Sequence, residues 1–200
     1  MRERTVLDLS RLPTFGTGPR SPTWWGTLGF MALEGTGFAL AAGAYLYLAY
    51  ISEGFPLSAP PPDLGPGTIV LVLLLVSAVP NIILNRYAQK CRMRPVRIYL
   101  LIMCAFGILP LIVRWFEFSA LNIYWDTNAY GSMLWVLLGL HTVHLLTDVG
   151  DTIVLTVLMF TRHGFHGRRF GDVEDNVFYW HFVVLTWIPI YLLSYWLPRL

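Results

Sequence analysis

The sequence predicts an all-α polytopic membrane protein: one bundle of five transmembrane helices, N-terminus cytoplasmic and C-terminus outside. Three observations lead there. Of the 200 residues, 56% are hydrophobic and only 13% are charged, against about 45–50% and about 25% in ordinary soluble domains. Five continuous apolar stretches approach the roughly 20 residues a helix needs to cross a bilayer core. The basic residues gather in alternate connecting segments. With a mean hydropathy of +0.56, the composition argues against a soluble enzyme.

Residues 1–23 read as a cytoplasmic tail holding Arg2, Arg4, Arg11 and Arg20. They contain no apolar core of a cleavable signal, so the first span is expected to act as its own uncleaved signal. That span covers residues 24–51, opened by Trp24 and Trp25 and closed by Tyr45, Tyr47 and Tyr50. The second, residues 68–84, is short and contains Pro80, which membrane helices tolerate. The third covers residues 98–115. The fourth, residues 131–160, is long enough to tilt. The last, residues 177–197, opens with Tyr179 and Trp180 and closes with Tyr195 and Trp196. These paired aromatics are read as interfacial belts. No run alternates, which excludes a β-barrel. No connection exceeds 16 residues, so residues 24–200 form a single membrane domain.

The connections set the orientation. Residues 52–67 hold no basic residue, whereas residues 85–97 hold Arg86, Lys90, Arg92, Arg94 and Arg97 and no acid. Arg114 stands just before the connection 116–130, and residues 161–176 hold Arg162, Arg168 and Arg169. Counted with the two tails, one side collects twelve of the fourteen basic residues. The basic side is cytoplasmic. Thirteen of the fourteen are Arg, so there is no lysine-rich tail for nucleic acid. Cys91 and Cys104 make no disulfide framework and are read as free thiols.

Ionisable groups inside spans are costly and mark candidate functional positions. Glu34 lies ten residues past Trp24, about 15 Å into the first span. It is either a proton-handling or reactive carboxyl, or a neutral glutamic acid hydrogen-bonded to a neighbouring helix. Gly35, Ala39 and Gly43 recur every four residues, a face that lets another helix approach closely. In the fourth span His141, His144, Asp148 and Asp151 fall at spacings of 3, 4 and 3, on one stripe flanked by Thr147 and Thr152. Such a stripe is either a metal or haem site whose ligand histidines are oriented by hydrogen bonds to the carboxylates, or a polar seam between helices. Glu34 with the pair Asp148 and Asp151 also suits a transporter's proton relay. Arg114 and Glu117, three apart, read as a local ion pair. Arg162, His166, Arg168 and Arg169 either hold an anionic lipid head group or serve only as topogenic charges. No glycine-rich phosphate loop, nucleophile elbow, CxxC pair or HExxH helix occurs.

Several of these motifs carry a family resemblance, running from about Trp24 to Trp196. Trp24-Trp25-Gly26 followed by Glu34 resembles the first span of short subunit III proteins of haem-copper oxidases. Tyr130-Gly131-Ser132 and the later Gly139-Leu140-His141-Thr142-Val143-His144 resemble that family's Y-G-S … G-x-H-x-x-H helix. Glu174, then Tyr179-Trp180-His181-Phe182-Val183, Trp187 and Tyr195-Trp196, resemble its closing segment, and Glu117 matches a recurrent Glu. The resemblance implies a non-catalytic subunit of a terminal oxidase such as cytochrome c oxidase, in the short five-span form of a bacterial inner membrane. It implies packing against the catalytic subunit I, with subunit II beside it, and bound phospholipid. It also implies support of proton uptake and of the stability of the complex, with haem and copper held by the partner subunits. Glu34 would match the family's carbodiimide-reactive glutamate, and His141, His144 and His181 its structural histidines. Val184 stands where the family usually has Asp, while Asp148, Asp151 and Pro189 are additional. These departures keep a subunit III-like protein of a nitric oxide reductase as the alternative.

Overall fold

The computed structural model describes residues 21–57, 59–165 and 168–200, leaving aside the side chains of His163, Phe165 and Arg168. The described residues contain five long helices and no strand: α1 (Pro22–Ile51), α2 (Leu64–Gln89), α3 (Met93–Ser119), α4 (Ala129–Phe160) and α5 (Arg168–Tyr191). Their ends follow local chemistry. Ser21 caps α1, its Oγ accepting from Trp24 N at 3.1 Å, with Pro22 in the first turn where no intrahelical N–H is needed. Asn128 caps α4 through its Oδ1 and Gly131 N, 2.8 Å apart. Past α5 the chain widens into a π turn, Leu192–Trp196, and tightens into a 3-10 turn, Leu197–Arg199. Pro189, which can donate no backbone hydrogen bond, lies just before this change of pitch.

Four of the five helices are long and apolar enough to cross a membrane: α2, α3, α4 and the stretch Arg169–Arg199. The 30-residue α1 has the length, but Glu34 and its Gly, Thr and Tyr residues dilute its apolar character. The second span is 26 residues, not the short segment expected, because Asn85, Arg86 and Tyr87 continue the helix. The expected connection 85–97 shrinks to a tight turn around Lys90 and Cys91, where Cys91 adopts a left-handed φ of 51°. Most of the expected connection 161–176 is likewise helical, since α5 already begins at Arg168.

In the bundle α2 packs on α3 and α5, α3 on α4, and α4 on α5, while α1 leans on α4 and α5. Only Ala41 and Tyr45 of α1 are buried, so this helix sits at the edge. Ile69, Val72, Val76 and Val79 of α2 and Ile98, Leu101 and Ile112 of α3 point outward, the apolar exterior of a chain whose solvent is lipid.

Two expectations are corrected. The Gly35, Ala39, Gly43 face does not carry a close helix contact: Ala39 and Gly43 are exposed, and a Cβ at Gly35 would stand an ordinary 3.6 Å from Phe182. The close approaches occur at Gly67, against the ring of Tyr195, and at Gly107, where a Cβ would lie 2.5 Å from Val149. Nor do all the belt aromatics point outward. Trp25, Tyr47, Tyr50 and Trp196 are exposed, but Tyr45, Tyr179, Trp180 and Tyr195 are buried. Each of those four faces a neighbouring helix, and Trp180 Nε1 donates to Ser77 Oγ of α2 at 2.8 Å.

Candidate functional site

The polar residues of the spans gather into two clusters. The first lies among α3, α4 and the end of α5. Arg114 and Glu117 are one helical turn apart on α3, each 1% exposed, and form the expected ion pair at 2.7 Å. Arg114 Nη2 also reaches His141 Nδ1 at 2.9 Å, and its guanidinium lies 4.0 Å over the Trp187 ring. Tyr195 Oη donates to the other Glu117 oxygen. An arginine can only donate, so His141 Nδ1 must accept. His141 Nε2 therefore carries the hydrogen and donates to the Val183 carbonyl at 3.1 Å. Both ring nitrogens are engaged, which leaves no lone pair for a metal.

The second cluster joins α1, α4 and α5 at mid-span. Tyr179 Oη donates to Glu34 Oε2 at 2.6 Å, and His144 Nε2 lies 3.4 Å from the same oxygen without the alignment of a hydrogen bond. One turn further along α4, Asn176 Nδ2 of α5 reaches Asp151 Oδ2 at 3.1 Å, Asp148 Oδ1 at 3.4 Å and Thr152 Oγ1 at 3.1 Å. Asp148 is fully buried, whereas Asp151 is exposed at the edge of the cluster. The predicted stripe thus splits: His141 belongs to the first cluster, and His144, Asp148 and Asp151 to the second.

The remaining candidates lie elsewhere. His181 is apart from the other two histidines; its Nδ1 and Asn81 Nδ2 of α2 both reach the Val177 carbonyl, at 2.8 and 3.0 Å. Glu174 is half-buried on α5, two residues from Asn176 and so on the opposite side of that helix. Arg162 is exposed, and Arg169 is paired with Asp172 at 2.9 Å. His166 and the side chain of Arg168 lie outside the described residues. Among the described residues no three His, Cys, Asp or Glu side chains are grouped to hold a metal ion. Cys91 and Cys104 are free thiols, as expected.

Sequence reasoning gave no site role to Asn176, Asn81 and Ser77 and read Tyr179 only as a belt and motif aromatic, because it looked chiefly for acids, histidines and arginines inside the spans. The available signal was amide and hydroxyl side chains inside apolar spans, which also need partners there. Asn176 and Tyr179 are three apart, on the same face of one helix.

A family model described as "Cytochrome c oxidase subunit III" matches residues 68–198. The chain belongs to the cytochrome c oxidase subunit III family. The match runs from Thr68 in the second turn of α2 to Pro198 and includes Glu117, His141, His144 and His181 of the site. Among relatives, the cytochrome c oxidase subunit 3 of Synechocystis is 36% identical over 97 residues, 47% of this chain and 40% of that protein. That of Thermostichus vulcanus is 27% identical over 176 residues, 87% of each chain. That of Loxodonta africana is 31% identical over 99 residues, 48% of this chain and 37% of that protein. The chain thus spans under half of two of these relatives and most of the third. A subunit III family member with helices apolar enough to cross a membrane is a membrane protein.

Proposed function

We propose that this chain is a non-catalytic subunit of a haem-copper terminal oxidase of the cytochrome c oxidase type. Its helices pack against the catalytic subunit I in a complex that also contains subunit II. Those partners hold the haem and copper, and this chain binds phospholipid and supports proton uptake and the stability of the complex. It crosses a bacterial inner membrane five times, with α1 as the first span. The Arg-rich ends of α2, α3, α4 and α5 face the cytoplasm, as the distribution of basic residues supports.

One observation carries the reading: in a subunit III family member, the buried Arg114 and Glu117 are turned on one another. The buried ion pair is met by His141, Tyr195 and Trp187 from two other parts of the chain, while the outward faces of α2 and α3 are apolar. Such an interior holds helices together, and such an exterior suits a subunit or lipid neighbour. The test is affinity purification of the tagged chain in mild detergent, with metal analysis and a haem spectrum. Haem- and copper-bearing subunits are expected to follow it. A chain that isolates alone, or with the haem b subunit of a nitric oxide reductase, overturns the assignment.

A further inference from the structure

A groove of about 590 Å³ opens where α3 ends, between that helix, the connection to α4 and the second turn of α4. Four rings line it: Trp115 and Phe118 from α3, Tyr124 from the connection and Trp135 from α4. Phe118 and Trp135 are half-buried with centroids 4.9 Å apart, and Trp135 is held by donating from Nε1 to the Ile123 carbonyl at 2.9 Å. Trp115 and Tyr124 are exposed. We propose that this groove binds the ammonium head group of a zwitterionic phospholipid in the outer leaflet, with an acyl chain running down α3. The proposal deepens the phospholipid binding proposed above, and the leaflet named rests on the orientation given there. The groove itself does not depend on the oxidase assignment.

The lining has the chemistry for a cation. Aromatic faces attract primary and quaternary ammonium groups, and among the described residues no Lys, Arg or His lines the groove to oppose one. A carboxylate stands beside it. Asp63 occupies the N-cap position of α2 but makes no side-chain cap bond. Its Oδ1 instead accepts from Nδ2 of the lining residue Asn122 at 3.3 Å, and its N–H donates to the Ala120 carbonyl at 3.0 Å. That fixes the acid against the connection that forms one wall.

The charge balance at this end of the bundle agrees. Its exposed charges among the described residues are Glu53, Asp63 and Asp126 against Arg199. The Arg199 guanidinium is turned onto the Tyr195 and Pro62 carbonyls, with no ion pair to Asp63. The position then selects a lipid over a soluble amine. Trp115 lies four residues before the end of α3 at Ser119, about 6 Å and so near head-group depth. Ile112 and Ile108 follow it at spacings of three and four on the same helical face, both exposed, as an apolar track for a chain.

The experiment reconstitutes the chain, in the complex it purifies with, into vesicles holding a trace of phosphatidylethanolamine that carries a diazirine high on one acyl chain. Cross-links in the peptide spanning 108–124 are counted by mass spectrometry against those on the outward face of α2. With phosphatidylglycerol as bulk lipid, the groove is expected to be labelled about fivefold or more above that reference. Bulk phosphatidylethanolamine or phosphatidylcholine, which bring ammonium groups of their own, should compete the excess away. Trp115→Leu should abolish it, Trp115→Phe should keep most of it, and Asp63→Asn should lower it about threefold. Trp125→Leu, exposed in the same connection but outside the lining, should leave it unchanged. All three positions are exposed, so folding is not at stake.

Labelling no higher than the α2 reference, an excess that survives bulk phosphatidylethanolamine, or an excess unchanged in Trp115→Leu overturns the proposal and leaves only interfacial aromatics. An excess seen only after partner subunits are stripped away means that protein covers the groove, and overturns it as well. Phosphorus analysis of the purified complex reads phospholipid binding in general, and co-purification reads the oxidase assignment, so each can fail alone.

Discussion

Arg114→Met tests the interior of the bundle most directly. Arg114 and Glu117 are both 1% exposed, and removing one partner leaves the other charge buried and uncompensated, at about 3–5 kcal/mol. The other lost contacts are smaller. The interhelical hydrogen bond to His141 is worth about 0.6 kcal/mol on the average of membrane proteins, and the contact over Trp187 up to about 2 kcal/mol when desolvated. The stranded carboxylate therefore dominates, and the variant should lose about 3–5 kcal/mol. Because the loss comes from an unbalanced charge, adding Glu117→Gln should recover much of it, by about 2 kcal/mol or more of coupling. Glutamine still offers an oxygen to Tyr195 Oη, so the second substitution adds little damage of its own. The assay is reversible unfolding of the purified chain in mixed micelles by titrated sodium dodecyl sulfate, for both single variants and the double. A loss under about 1 kcal/mol for Arg114→Met, or a double variant as unstable as the sum of the singles, refutes the reasoning.

Three further outcomes are expected. Gly107→Ala should destabilise the α3–α4 contact by about 1–3 kcal/mol through overpacking against Val149, and Val149→Ala should suppress the defect in the same unfolding assay. Trp180→Phe removes the indole donor to Ser77 and should cost about 0.6–1.7 kcal/mol for that hydrogen bond; an equally stable variant would show that the bond contributes nothing. Cys91 is exposed at the α2–α3 turn and Cys104 is half-buried within α3, so a membrane-impermeant maleimide should label Cys91 alone, and only from the cytoplasmic face. Labelling from the opposite face would invert the proposed topology.

Helix existence was legible because lipid makes a local demand: each span must satisfy its own backbone hydrogen bonds and present apolar side chains. That demand is written within some 20 consecutive residues. Helix ends were less legible. The end of α2 and the start of α5 extend several residues into charged sequence, since a helix persists past the bilayer core for as long as its own hydrogen bonds are met. The ion pair of Arg114 and Glu117 was visible from a spacing of three. Its partners His141 and Tyr195 were not assigned to it, because they lie 27 and 78 residues away in the chain.

The amino-acid order alone was enough for the solvent, the helices and the residues that lipid should not tolerate, since hydropathy and spacing are local properties. It did not contain the pairing of those residues. His141 and His144 share a helical face, yet one accepts from Arg114 and the other lies against Glu34, because different helices cross α4 at each level. The closeness of Gly67 to Tyr195, the burial of four of the nine expected belt aromatics and the cleft beside Asp148 are likewise products of how α1, α2 and α5 lean on their neighbours. Packing decides them because a side chain's partner is set by the crossing of two helices, and no window along a single helix records where that crossing falls.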